Sequence, residues 1–316
     1  MRKNKVLLFL ALIGILLSYA YSDVEINFIY GMTKPNLGDL EYLYSAQNDE
    51  LNNLKKQGFT AKSDYNFTSP DYFKDFGGEI KFSISSSLWL GIEYIKTKLN
   101  HVQSGNWAFE KTEVDVLESI SGNIDNFTSD YDINVFGLNL YWKFPISSFL
   151  ELEAGIGASY IKVKDDNNYT ATINNRLTFG EEYANNEIKI SQVWDLESNT
   201  FGGKAGLRLN VNIKKSMGVF IGAYYSYYSP KELTGNFRYT ATSKFTSSFD
   251  SSEYNNSSTY TGNGTYHIII RKGEGSNMTY IRPEVKPLPP GEETDQGVAK
   301  TNFSGTKAVI GVFFRF

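Results

Sequence analysis

The last ten residues, Lys307-Ala308-Val309-Ile310-Gly311-Val312-Phe313-Phe314-Arg315-Phe316, decide the fold. Every second position gives Ala308, Ile310, Val312, Phe314 and Phe316 on one side, and Lys307, Val309, Gly311, Phe313 and Arg315 on the other. Strand side chains alternate between faces, so this run is a strand with one wholly apolar face and one that mixes charge, glycine and a ring. One such strand is a weak signal; its weight depends on how often the pattern recurs.

It recurs seven times upstream. Val24, Ile26, Phe28 and Tyr30 alternate with Glu25, Asn27 and Gly31, and Phe76, Ile80, Phe82 and Ile84 with Glu79, Lys81 and Ser83. Leu88, Leu90, Ile92 and Tyr94 oppose Gly91 and Glu93; Phe136, Leu138, Leu140, Trp142 and Phe144 oppose Gly137, Asn139, Tyr141 and Lys143. Leu150 to Tyr160 alternates with Glu151, Glu153, Gly155, Gly157 and Ser159. Phe201 to Ile213 faces away from Lys204, Gly206, Arg208 and Asn210, and Met217 to Tyr227 from Gly218, Phe220, Gly222 and Tyr224. The connections discriminate further. Residues 85–87, 145–148 and 214–216 are short links, whereas roughly 32–75, 97–130, 162–199 and 229–305 are long, and the two kinds alternate strictly. Every long connection therefore emerges at one end, as in outer-membrane barrels with short periplasmic turns and long extracellular loops. A soluble β-sandwich also alternates, but it does not confine its long connections in this way.

Composition fits. Phe and Tyr stand at 22 each and aromatic residues reach 15%, while mean hydropathy is only −0.34. A membrane barrel reconciles the two because only alternate strand residues touch lipid. Trp142 and Tyr160 fall near run ends, where an interfacial aromatic girdle would lie. At the start, Arg2, Lys3 and Lys5 precede the apolar stretch from Val6 to Leu17, and Ser18-Tyr19-Ala20-Tyr21-Ser22 offers small residues at signal-peptidase positions. Residues 1–22 therefore read as a secretory signal peptide, too short in its apolar part for an anchor, and 23–316 as one domain. Without the signal's three bases, 28 of the 31 Lys+Arg remain against 35 Asp+Glu, a formal charge of −7 that argues against nucleic-acid binding. The absence of Cys excludes disulfides, an acylated lipoprotein cysteine and Cys-ligated metals.

The chain resembles the small eight-stranded outer-membrane barrels, the class of the OmpA transmembrane domain, OmpX and OmpW. The residues that carry the resemblance are Val312-Phe313-Phe314-Arg315-Phe316. It implies an all-β, antiparallel up-and-down transmembrane β-barrel of eight strands with four long extracellular loops, located in the bacterial outer membrane. It also implies that Val312, Phe314 and Phe316 are the signal shown to the barrel-assembly machinery. The pattern covers about half of the mature chain, and no periplasmic domain that would anchor peptidoglycan is expected after Phe316.

The inward parity carries Glu25, Glu79, Glu93, Glu151 and Glu153 together with Lys81, Lys143, Lys204, Arg208, Lys307 and Arg315, five acids against six bases. Charge in a narrow lumen is costly unless paired, and eight strands leave room for little but side chains, so these residues read as a salt-bridge network filling the barrel. A wide pore would need more strands, and an ion-selective one would more plausibly show rings of a single charge. Small barrel enzymes of the lipid A acyltransferase and deacylase kind use His with Ser and an acid. Here His101 and Ser104 have opposite parity, and His267 lies in the last long connection. No catalysis and no cofactor are expected. Asp165-Asp166-Asn167-Asn168 is able to hold a cation weakly, but turn-forming polar residues explain it better.

In the first connection Leu37, Leu40, Leu43, Tyr44, Leu51 and Leu54 sit at helical spacing, closed by Gly58, and predict a short helix over the barrel mouth. Residues 234–247 and 257–271 predict a hairpin, and 283–290 an extended Pro-rich stretch. Loops rich in Asn, Ser, Thr, Tyr and Gly suit contact with other surfaces. The sequence thus points to a non-enzymatic monomer that touches outer-membrane lipid and lipopolysaccharide. It would serve envelope integrity, adhesion or surface interaction through an extracellular ligand of its loops. The alternative is a narrow channel for small or hydrophobic solutes, resembling OmpW in outline.

Overall fold

The computed structural model describes residues 23–272, 277–283 and 293–316. The expected signal peptide, and the Pro-rich stretch beyond Pro283, lie outside them. The strands are β1 (Val24–Pro35), β2 (Thr60–Ser63), β3 (Phe73–Ser83), β4 (Leu88–Glu113), β5 (Val116–Pro145), β6 (Leu150–Phe179), β7 (Glu182–Lys214), β8 (Met217–Tyr228), β9 (Thr234–Ser247), β10 (Glu253–Lys272), β11 (Asn277–Pro283), β12 (Glu293–Val298) and β13 (Gly305–Arg315), with helix α1 (Tyr42–Lys56) between β1 and β2. All pairings are antiparallel. β1, β3, β4, β5, β6, β7, β8 and β13 close on themselves as an eight-membered ring, because β8 pairs both β7 and β13. The ring agrees with the eight runs read from sequence; the further strands add to it above one rim.

The ring's outer face is an apolar belt. Phe28, Leu138 and Ile221 are more than half exposed, at 57%, 53% and 59%, and Leu207, Phe136 and Ile310 lie around them. The belt ends upward in a ring of aromatic cross-strand neighbours: Tyr30 and Phe76 have centroids 5.1 Å apart, Tyr94 and Phe136 5.0 Å, Tyr160 and Phe201 5.5 Å. Trp142 marks the opposite end, three residues before Pro145. Directly above the aromatic ring the outer face turns to ion pairs: Lys96 with Asp132 at 2.8 Å, Lys162 with Glu197 at 3.3 Å, and Lys164 with Asp195 at 3.3 Å. An apolar belt bounded by aromatic residues at one level is the surface a bilayer requires.

Two of the four expected long loops are not loops. β4 and β5 continue upward as one hairpin that turns at Val114-Asp115, and β6 and β7 as another that turns at Gly180-Glu181. β9 pairs the upper part of β7, and β10 pairs β9, so a wall of strands rises above one side of the ring. Residues 97–130 and 162–199 hide this because their outward positions are mostly polar. They still alternate, but around an apolar inner face made by Leu99, Phe109, Ile124, Phe127, Val163 and Leu196.

Helix α1 sits against that inner face. Its fifteen residues contain no β-branched side chain and no Gly or Pro, Lys55 and Lys56 suit its C-terminal dipole, and Gly58 closes it at φ 90°. Leu37, Leu40, Leu43, Tyr44 and Leu51 are buried in one cluster with Phe59, Phe67, Phe109 and Phe127. Truncating a buried leucine costs about 2–5 kcal/mol. Leu40→Ala or Leu51→Ala should therefore release α1 and speed trypsin cleavage after Lys55 and Lys56 at least about tenfold, since 1.4 kcal/mol of local opening is already tenfold. Heat-modifiable gel migration of the barrel should stay unchanged. Unchanged cleavage would show that α1 does not depend on this packing.

Candidate functional site

Inside the ring, register places opposite charges side by side. Glu25 is paired with Lys81 on one side and Arg315 on the other, and Lys143, Glu153 and Arg208 follow one another across β5, β6 and β7. Glu25 accepts from Lys143 Nζ at 2.6 Å, Arg315 Nε at 2.8 Å and Arg208 Nη2 at 3.0 Å. Lys81 Nζ donates to both oxygens of Glu153, at 2.6 and 2.7 Å, and Arg208 donates to the same carboxylate at 3.0 Å. Glu79 accepts from Asn27 at 3.2 Å, Asn139 at 3.1 Å and the Tyr141 hydroxyl, with Lys81 3.6 Å away. Glu151 takes Arg315 Nη2 at 2.8 Å and Asn210 at 2.9 Å. Glu79 and Glu93 are cross-strand neighbours, but Glu93 turns upward to Lys204.

Every charged residue predicted for the interior thus lies in this cluster or just above it. The sequence reading missed Asp75. It bonds Lys307 at 3.4 Å and Thr33 at 2.6 Å, and also accepts from Thr97. Its parity is that of Glu79 and Lys81, so it is legible, but it lies one residue before the apolar run that opens at Phe76. With Asp75 the interior carries six acids and six bases and is formally neutral.

Aromatic rings complete the packing. Lys143 Nζ is 3.5 Å from the centroid of Trp89, Lys81 Nζ 3.8 Å from that of Tyr141, and the Arg208 guanidinium 4.2 Å from that of Phe220. Tyr141 lies across the lumen because its neighbours lack side chains: a Cβ on Gly155 would come within 2.5 Å of its ring, and one on Gly91 within 2.9 Å. A cavity of about 20 Å³ lies beside Glu93, Tyr141, Lys204, Arg208 and Tyr224. That is space for about one water.

The other candidates are dispersed. His101 Nε2 is 2.9 Å from the Thr68 carbonyl oxygen and 2.7 Å from Gln103 Nε2, and Ser104 is exposed at a break in register. His267 Nδ1 lies 2.8 Å from Asp295 Oδ2 in the outer wall. Among the described residues no three His, Asp or Glu side chains converge as a metal site. Asp165-Asp166-Asn167-Asn168 is not a turn: all four residues lie within β6, paired on both sides, with Asp165 and Asn167 buried inward. Four consecutive polar residues imitate a turn when only two of them face solvent. Of the expected assembly signal, Val312 and Phe316 are exposed outward and Phe314 packs edge-on to Phe28 at 6.4 Å.

No family model and no curated protein sequence matches the chain. Among solved structures it is similar to the outer membrane protein OprG of Pseudomonas aeruginosa, at 10% identity over 93% of this chain and 96% of that one, with a TM-score of 0.35. It is also similar to the outer membrane protease OmpT of Escherichia coli, at 9% identity over the same shares, with a TM-score of 0.30. Likenesses of this size assign no activity.

Removing one member of a buried ion pair leaves the other charge uncompensated, which costs about 3–5 kcal/mol. Lys81→Met should lower the unfolding free energy in detergent by that order, because Lys81 and its partners Glu25 and Glu153 have fully buried side chains. Lys62→Ala, which breaks the exposed pair with Glu110, should cost no more than about 1 kcal/mol. Equal effects in urea titrations would mean that water reaches the inner network.

Proposed function

We propose that this chain is an outer-membrane β-barrel that does not conduct. Exported by its signal peptide, it would offer Val312, Phe314 and Phe316 to the barrel-assembly machinery and seat its apolar belt in lipid. It would act without catalysis through the structure it raises above the membrane, in envelope integrity, adhesion or surface interaction. The observation that carries this reading is the packing inside the ring: twelve paired charges and the ring of Tyr141, beside which lies a cavity of about 20 Å³. The small barrel is then a base, and the mass to be explained lies above it. β6 runs on for 19 residues beyond Tyr160, roughly 60 Å of strand at about 3.3 Å per residue. β9 and β10 widen the wall with exposed Tyr254 and Tyr260 amid Asn, Ser and Thr, residue types that give contact area and adaptable hydrogen bonds.

Single-channel recording of refolded protein in planar bilayers tests the reading, with heat-modifiable migration confirming the folded barrel. Wild type should be silent, and Lys204→Ala with Arg208→Ala should open measurable conductance by removing two of the side chains that line the residual cavity. Steady wild-type openings in the hundreds of picosiemens would overturn it in favour of a channel for small solutes.

A further inference from the structure

The apolar inner face of the wall continues past the helix that packs against it. Between Leu51 and Leu54 of α1 and the strands lies a cavity of about 360 Å³, walled by Trp107 of β4, Ile120 of β5, Ile173 of β6 and Ile190 of β7. That is the volume of a ligand pocket, about 300–1,000 Å³, and not of a packing defect. Register carries the same face upward: Ile173 is opposite Ile188, Leu177 opposite Ala184, and Val116 opposite Phe179. Here the apolar side chains lie open. Leu177 is 45% exposed, Phe179 52% and Val114, in the turn above, 91%. Val114 also has φ 44°, in the left-handed region where a β-branched side chain is strained and Gly or Asn is not. An apolar strip thus runs from Ile124 to Val116 along β5, roughly 26 Å at about 3.3 Å per residue, with the cavity at its lower end.

We propose that this strip docks a basic amphipathic helix of another protein, with the helix's apolar face along the wall and one large apolar side chain in the cavity. The length fits about five helical turns, and a helix laid in an apolar groove presents its anchors at i, i+3 or i+4, and i+7. Charge chooses the sign of the partner. Among the described residues the only charged one lining the cavity is Glu50. At the upper end Glu113, Asp115, Glu118, Glu181 and Glu182 stand against one base, Lys111, which is 2.5 Å from Glu113. Asp115, Glu181 and Glu182 are exposed and make no ion pair among the described residues. Lys55 and Lys62, toward β2, are already paired, with Asp64 at 2.5 Å and Glu110 at 3.1 Å. A fringe of this sign opposes a second copy of the same strip and an anionic surface alike, and it favours Lys and Arg. The chain's own links are too short to cover the open upper half. Ten peptide steps join Pro283, opposite Tyr266, to Glu293, opposite Arg271, so that link rises at most about 17 Å. The row of Leu177, Ala184 and Ser247 lies one step above Glu253, which is thirteen residues up β10 from Tyr266, roughly 40 Å. The proposal rests on the reading that the chain acts through its wall, and bilayer conductance tests that reading separately.

The experiment uses full-length protein in nanodiscs of zwitterionic phospholipid, read by surface plasmon resonance against empty nanodiscs. The probes are a synthetic Leu/Lys amphipathic helix of about five turns and its Leu/Glu counterpart. Wild type should bind the Leu/Lys helix saturably and the Leu/Glu helix at least about tenfold more weakly. Phe179→Ser changes only an exposed side chain and should weaken the Leu/Lys helix about tenfold, the loss expected for some 1.4 kcal/mol of apolar contact. Glu181→Lys with Glu182→Lys, also exposed, should reverse the preference between the two helices. Val193→Ser, at an exposed apolar residue on the wall's outer face, should leave both unchanged. Equal binding of the two helices, an unaltered Phe179→Ser, a preference that survives the charge reversal, or no signal above empty nanodiscs would overturn the strip as a docking surface. Steady conductance in planar bilayers would overturn the reading of the lumen and leave these outcomes untouched.

Discussion

The lumen of an eight-stranded ring is only as wide as the side chains that point into it, and the rest of this structure follows from that limit. Each inward residue must fit and must also be electrically satisfied, since little water remains to solvate it. The chain meets both demands through register. Acid and base alternate across neighbouring strands in Lys143, Glu153 and Arg208, whereas Glu93, opposite Glu79, reaches up to Lys204 for its partner. Register is thereby pinned. A slip of one residue would turn Glu153 and Arg208 into lipid and bring Leu152 and Leu207 into the ion pairs, so the same side chains that fill the ring also exclude its misalignment.

Above the aromatic ring the same strands solve the opposite problem. In β6 the apolar outward positions end at Tyr160. From Ile161 and Val163 onward the apolar residues face inward, while Lys162 and Lys164 face out. β4 changes between Tyr94 and Ile95, β5 between Phe136 and Val135, and β7 between Phe201 and Leu196. The lower storey is a polar core in an apolar coat, and the upper an apolar core in a polar coat. The reversal falls where the solvent changes, because each face is chosen by what it meets.

This reversal explains what the sequence disclosed and what it concealed. The eight runs were legible because one parity stays apolar for the whole width of a membrane, and the interior charges were then fixed by parity alone. Helix α1 was legible from Leu43, Tyr44, Leu51 and Leu54 at helical spacing, and the hairpin of β9 and β10 from its β-rich composition. The upper halves of β4 to β7 were not, since the apolar parity changes sides within an unbroken strand and a search for one alternating face reads the change as an end. Asp75 was lost in the same way, at the edge of a run. Asp165 was misread because sequence does not tell a polar residue facing water from one facing a core, and only the pairing of β6 with β5 and β7 separates Asp165 from Asp166.

The two storeys also divide the labour. In the lower one, any path through the lumen has to part ion pairs in which Glu25 alone holds Lys143, Arg208 and Arg315. Each broken pair strands a buried charge, so small displacements of these side chains are opposed by several kilocalories per mole. The upper storey carries no such constraint. Its outer face is polar and tolerant of change, and its core is held by ordinary apolar packing that admits local opening at α1. One set of strands thus builds a tightly constrained axis below and a tolerant wall above.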